Sequence, residues 1–329
     1  MKKYMLLKML TIVSAGLVYS FLSAQGLKAP IRYFVTVEPD VELEIVEWSD
    51  QGEPLILLAG LGHSAHVFDE FAPLLADRFR VLGITRRGFG ASSQPQTGYD
   101  LNSLANDIRT VMDSLGIEKA IIAGHSFAGD EMTKLASLYS GRIKALIYLD
   151  AAYDHIFQQD TLNNYPVTNY KSPSPTDADL LSPEAYRQYY FRKEGVLMPI
   201  SEIKEINIFG DDGGYEGGVT PGTIYASIIN GMEHPNYSGI DVPALAIYAV
   251  SYPITEVFTH YDSQDAVTKK QMQKRFEVGL KMDEIGRQDF KRRMINSKVV
   301  ELEGAGHSLY LTHAEEVAEN IRKFIDELQ

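Results

Sequence analysis

Apolar and polar positions along the chain fall into two alternating kinds of run. Leu55 to Ala59, Arg80 to Ile84, residues 119–123, Ile143 to Leu149, Pro243 to Val250 and Lys298 to Leu302 are short and largely apolar without internal alternation. Such runs predict strands buried on both faces of a parallel sheet. Between them, apolar residues recur at helical spacing. They do so at Val67, Phe68, Phe71, Leu74 and Leu75, and again at Leu104, Ile108, Val111, Met112 and Leu115. The stretches 127–140 and roughly 264–294, and the set Val317, Ile321, Phe324 and Ile325, continue the pattern. Residues 31–48 differ: Tyr33-Phe34-Val35 and Leu43 to Val46 alternate on either side of Pro39-Asp40, a hairpin signature. The whole predicts an α/β fold, a mostly parallel sheet with helices on both faces.

The rhythm stops between residues 151 and 240, a stretch rich in Tyr, Asn, Pro and Gly with only short helical patterns. It is too long for a connection inside a compact domain and predicts an inserted, mainly helical or irregular cap. The first part of the core is then 25–150 and the second 241–329. Residues 1–24 stand apart: Lys2, Lys3 and Lys8 flank or punctuate an apolar run, Met9 to Leu22, followed by Ser23-Ala24-Gln25. This predicts a signal peptide cleaved near Ala24 and a secreted or periplasmic protein. The alternative is an uncleaved membrane anchor, for which the apolar run is short. No later stretch is apolar for long enough to span a bilayer.

Composition narrows the chemistry. Of 329 residues, 45% are hydrophobic and 23% charged, ordinary for a globular protein. The absence of cysteine excludes thiolate metal sites and cysteine nucleophiles. A formal charge of −13, with no basic cluster beyond the leader, argues against a nucleic-acid partner.

The chemistry centres on Gly124-His125-Ser126-Phe127-Ala128-Gly129. A serine at the junction of a buried strand and a helix fits a nucleophile elbow, a strained turn in which bulky residues two positions away on either side would clash. Gly124 and Ala128 supply that room. The helix start also aims backbone N–H groups at the serine. A base should follow the last strand, and there the chain reads Gly304-Ala305-Gly306-His307. His307 lies in a Gly-rich loop, free to reach over the sheet edge. Asp130 and Glu131 open the elbow helix and complement its positive end. Arg86 and Arg87 follow a strand; they could bind an anionic substrate, but a brace for neighbouring loops is the preferred reading.

The order Ser126 … His307 on this framework resembles the α/β-hydrolase superfamily. Its carriers are the elbow, the loop Ala59-Gly60-Leu61-Gly62, the run Arg87 to Ser92 and the loop ending in His307. The resemblance implies Ser126 as nucleophile, His307 as general base and the backbone N–H groups of Phe127 and Leu61 as the oxyanion hole. Ala59 and Ala128 replace residues common in the family without altering that assignment. The acid departs from the family pattern. It usually follows the strand after the cap, where this chain has Tyr252, with Glu256 four residues on. A subset of haloalkane dehalogenases instead places it at the end of the preceding strand, here Asp150. A carboxylate ending a buried strand is costly unless paired, and a histidine would pair it. Asp150 is therefore the expected acid, with Glu256 and Asp154 as alternatives; its ordinary structural role would be to cap a neighbouring loop N–H.

These residues together predict an exported serine hydrolase, most simply a carboxylesterase acting on a small to medium ester through an acyl-enzyme. The reading calls for no cofactor and no metal. A serine at the elbow disfavours the dehalogenase and epoxide-hydrolase chemistries of the superfamily, which use Asp there. The alternatives are an amidase or peptidase with the same triad, or a non-catalytic ligand-binding protein that keeps the fold.

Overall fold

The structure, a computed structural model, describes residues 29–328. The expected leader, 1–24, lies outside the described residues. Among the described residues there are ten strands: β1 Ile31–Glu38, β2 Val41–Glu47, β3 Glu53–Leu58, β4 Phe79–Ile84, β5 Ala120–His125, β6 Ile143–Leu149, β7 Asn207–Phe209, β8 Tyr215–Gly218, β9 Ala244–Val250 and β10 Ser297–Glu303. The longer helices are α1 Leu101–Ser114, α2 Ala128–Tyr139, α3 His155–Asn163, α4 Pro183–Glu194, α5 Ile200–Ile206, α6 Gly222–Asn230, α7 Ala266–Arg293 and α8 Ala314–Asp326.

Eight strands make one sheet in the order β1-β2-β4-β3-β5-β6-β9-β10. The hairpin β1–β2 joins β4 antiparallel, and every pairing from β4 to β10 is parallel. The pleat of each strand turns alternate residues to opposite faces. Ile56, Leu58 and Ile122 pack with Ile108 and Met112 of α1, Met132 of α2 and Phe290 of α7. Leu55, Leu57, Ile121 and Ile147 pack with Phe68, Phe71 and, from α8, Val317, Ile321 and Phe324. The inner strands β3, β4, β5, β6 and β9 are thus covered twice, as their unbroken hydrophobicity requires, whereas the edge strands β1 and β10 stay partly exposed.

The chain leaves β3 toward β4 and leaves β5 toward β6, so connections diverge between β3 and β5. In open α/β sheets that divergence opens a crevice at the carboxyl ends of the strands. The loop 59–64 and Ser126 both lie there.

One expected element takes another form. The apolar periodicity of 67–75 does not make an α-helix but two short 3₁₀ turns, Ala65–Phe68 and Ala72–Leu74. Pro73 lacks an N–H and restricts the residue before it, which breaks a continuous helix. Val67, Phe68, Phe71 and Leu75 are nonetheless buried. The segment between β6 and β9 carries α3 to α6 and the β7–β8 hairpin, and the sheet resumes at Ala244. Among the described residues no helix is long and apolar enough to cross a membrane.

Candidate active site

Ser126 follows β5 directly and sits in the left-handed region at φ 53°. That conformation costs about 1–2 kcal/mol for a residue with a Cβ. Its surroundings hold it there: Ser126 N–H donates to Leu149 O at 3.3 Å, and Gly129 N–H donates back to Ser126 O at 2.8 Å. The elbow is closed by close approach. A Cβ on Gly124 would lie 2.6 Å from Met132 Sδ and 3.0 Å from the Ala128 Cβ, so the small residues on both sides of the serine are required.

The sheet register brings the acid beside the serine. His125 pairs with Leu149, and Leu149 with Ile247, so Ser126 and Asp150 are the first residues past the ends of adjacent strands. Asp150 also adopts a left-handed conformation, at φ 47°, and its N–H donates to Ile247 O at 2.8 Å. Its side chain is buried, with Oδ2 2.7 Å from His307 Nδ1. Oδ1 accepts from the Tyr153 hydroxyl at 2.7 Å and from Ala249 N–H at 3.2 Å. Asp150 therefore caps a neighbouring N–H and pairs the histidine at once. A carboxylate at Nδ1 fixes the His307 tautomer with its proton on Nδ1, leaving the Nε2 lone pair free. Neither Nε2 nor Ser126 Oγ is hydrogen-bonded to a described residue, and the His307 side chain is 55% exposed. Contacts between nucleophile and base commonly tighten only in the Michaelis complex.

The other acids are engaged elsewhere. Glu256 is exposed, and its carboxylate folds over Gly306 without bonding His307. Asp154 caps α3 through Phe157 N–H at 3.0 Å and pairs with His234 at 2.8 Å. Tyr252, at the position where the family's acid is common, donates to Asp283 Oδ2 of α7 at 2.7 Å. Burial raises the Asp283 carboxyl above its ordinary range.

Two backbone N–H groups near the elbow are the ones expected to form the oxyanion hole. Those of Leu61 and Phe127 donate to no described residue. A Cβ on Gly60 would stand 3.2 Å from the Ser126 Cβ, so the loop after β3 lies against the elbow. Arg86 braces that loop: its Nη2 donates to Ala59 O at 2.7 Å and its Nη1 to Gly60 O at 3.3 Å. The same guanidinium forms a buried fork with Glu131 of α2, at 2.5 and 2.7 Å, and lies over the Phe127 ring. Arg87 is likewise spent, on Asp107 and Glu38. Both arginines are structural, and neither is open to an anionic substrate. Asp130 and Glu131 go beyond complementing a helix end. They are buried partners, Glu131 of Arg86 and Asp130 of His155 Nδ1 at 2.6 Å.

Three contributions were not visible in the sequence. His125 turns under the base loop, with Nε2 3.0 Å from the His307 carbonyl. Burial, with the charges of His307 and His63 adding to it, pushes its pKa well below the ordinary value, so the ring is a neutral donor there. Tyr153 fixes Asp150. Glu202 of α5, wholly buried, meets His63 Nδ1 at 2.9 Å and Ser64 in the loop beyond Leu61. Only position relative to Asp150 could have singled out Tyr153; the other two depend on contacts between distant segments. Among the described residues one group, Glu44, His66 and Glu205, has metal-ligand geometry. The guanidinium of Arg32 already bridges it, 2.5 Å from Glu44 and 2.9 Å from Glu205, so the charge a cation would supply is present.

A family model described as alpha/beta hydrolase fold matches residues 53–180, which span the loop after β3, Ser126 and Asp150. The chain has the α/β-hydrolase fold. Among curated relatives, bifunctional epoxide hydrolase 2 of Mus musculus is 31% identical over 158 residues, 45% of this chain and 28% of the mouse protein. A putative non-heme haloperoxidase of Mycobacterium phage D29 is 34% identical over 102 residues, 31% of this chain and 37% of that protein. The matches thus span well under half the length of these relatives. The solved structure of E-2-(acetamidomethylene)succinate hydrolase superposes with a TM-score of 0.66 at 20% identity, covering 90% of this chain and 99% of that one. Identity that low shows the shared fold alone.

Proposed function

We propose that this α/β-hydrolase is an exported serine hydrolase that cleaves a carboxylic ester of a small to medium molecule through an acyl-enzyme. The observation that carries the reading is the 2.7 Å bond between His307 Nδ1 and Asp150 Oδ2, formed beside a serine on a strained elbow. In the reaction, Ser126 Oγ attacks the ester carbonyl while His307 Nε2 takes its proton, and Asp150 stabilises the imidazolium. Charge on the carbonyl oxygen is met by the Leu61 and Phe127 N–H groups. The tetrahedral intermediate expels the alcohol, which leaves with the proton from His307. Water, activated by the same imidazole, then attacks the acyl carbonyl and regenerates Ser126. The segment between β6 and β9 serves as a cap over this edge of the sheet.

Serine at the elbow favours acyl transfer over the alkyl-enzyme route that an aspartate would support. Names among the similar proteins and structures span epoxide hydrolase, thioesterase, esterase and enol-lactonase, and the ester and lactone chemistries suit a serine. The test is a panel of p-nitrophenyl esters of graded chain length with wild type and Ser126→Ala. Turnover by wild type and its loss in the variant are expected; turnover unchanged by the substitution would refute the serine mechanism. Export is tested separately, by the N-terminal mass of the protein recovered outside the cytoplasm, expected to begin near Gln25.

A further inference from the structure

We propose that Glu202 is a positioning residue for the oxyanion hole: from α5 it holds the turn that presents the Leu61 N–H to the reacting carbonyl. The inference rests on the acyl-enzyme reading above and adds a residue that lies 138 positions from the loop it serves.

The turn is Gly60-Leu61-Gly62-His63, closed by His63 N–H donating to Gly60 O at 3.3 Å. Gly62 occupies its third position at φ +96°, where a turn of this type needs glycine. Such a turn has no strand or helix to stiffen it, so its geometry depends on its two ends. The first end is fixed by Arg86 on the Ala59 and Gly60 carbonyls. At the second end stands Glu202. Its Oε1 accepts from His63 Nδ1 at 2.9 Å and from Ser64 N–H at 3.1 Å, and its Oε2 accepts from Ser64 Oγ at 2.5 Å. A wholly buried carboxylate is tolerated only when its acceptor sites are filled, and here the turn itself fills them. Side chain and loop therefore specify one another.

α5 is well anchored for this task. Ser201 Oγ donates to Asp69 at 2.5 Å, and Glu205 takes a fork from Arg32 at 2.9 and 3.0 Å. Residues 201, 202 and 205 share one face of the helix, and all three bond residues of the chain before β4. From the neighbouring helix α6, Tyr225 stands 3.5 Å from where a Gly62 Cβ would be. Lifting α5 would strip all of its bonds from the turn at once. The seated cap and a competent Leu61 N–H are one state.

The experiment compares wild type, Glu202→Gln, Glu202→Leu and Ser64→Ala with p-nitrophenyl butyrate, each kcat being normalised to the sites titrated by a fluorophosphonate. Glutamine can keep all three bonds, with its amide N–H donating to Ser64 Oγ; leucine keeps none. Misplacing a catalytic group by an ångström costs on the order of 10²-fold in rate. Glu202→Leu should lose about that much kcat per titrated site with little change in KM, Glu202→Gln should restore most of it, and Ser64→Ala should fall between them. A merely structural role would lower the number of titrated sites and leave kcat per site intact, and that result overturns the proposal. Equal defects in Glu202→Gln and Glu202→Leu also overturn it, because charge rather than hydrogen bonding would then be at work. If Glu202→Leu yields no folded protein, Ser64→Ala decides alone: wild-type kcat per site refutes. Failure of wild type to react with the fluorophosphonate at Ser126 removes the acyl-enzyme reading and this inference with it. A reactive wild type with indifferent Glu202 variants removes this inference only.

Discussion

Asp150, at the end of β6, lies 2.7 Å from His307 Nδ1, so the carboxylate that orients the histidine comes from the strand next to the serine's own. It replaces a partner after β9, where Tyr252 is turned away to Asp283. Asp150→Asn puts a donor against Nδ1 and selects the wrong tautomer, which costs on the order of 10⁴-fold in kcat at a serine triad. Glu256→Gln, at an exposed carboxylate with no bond to the histidine, should leave turnover within about twofold of wild type. Steady-state kinetics on one ester separate the two; the reverse order would move the acid to Glu256.

Arg86 is the buried link between α2 and the loop after β3. Removing one partner of a buried pair leaves an uncompensated charge and costs about 3–5 kcal/mol. Arg86→Leu should therefore lower the unfolding free energy by that amount in urea titration. Replacing Glu131 as well, in Arg86→Leu/Glu131→Leu, should recover part of the loss. A double variant as unstable as the sum of the singles would contradict the pairing.

These residues show how far the sequence could be read. Strands such as Leu55–Leu58 announce themselves because burial on both faces leaves no polar position. Asp150 was legible for the complementary reason, a charge at the end of such a run needing a partner. Glu131 was legible only as part of a helix start, because Arg86 lies 45 positions away and its direction is set by tertiary packing. Glu202 was not legible at all. Its segment has weak periodicity, and its contacts cross from the region between β6 and β9 to the loop after β3. The helix expected at 67–75 failed locally, on Pro73.

His125 should matter for stability in acid. Its folded pKa lies well below the ordinary value of 6.5 because the ring is buried, whereas the unfolded chain protonates normally. The unfolded state then binds the extra proton, so stability is lost as pH falls below about 6.5. His125→Leu should flatten that acid slope in Tm, and loss of the bond to the His307 carbonyl should cost about 1 kcal/mol near neutrality. An unchanged acid slope would show the ring to be accessible to protons.

His66 works in the opposite direction. Burial lowers its pKa, but hydrogen bonds to Asp69 and Glu44 outweigh it and raise the value to about 10. A group raised above its unfolded pKa contributes stability that is complete below about 6.5 and is lost as pH rises through about 10. Tm should decline across that alkaline window, and His66→Asn should show a smaller decline from a lower starting point. A slope identical to wild type would remove His66 from the account of alkaline sensitivity.

The most direct measurement is the site of covalent capture. Wild-type protein treated with a fluorophosphonate, digested and mapped by mass spectrometry should carry one adduct, on Ser126, with labelling absent in Ser126→Ala and greatly slowed in Asp150→Asn. No adduct, or an adduct on another residue that survives Ser126→Ala, would contradict Ser126 as the nucleophile.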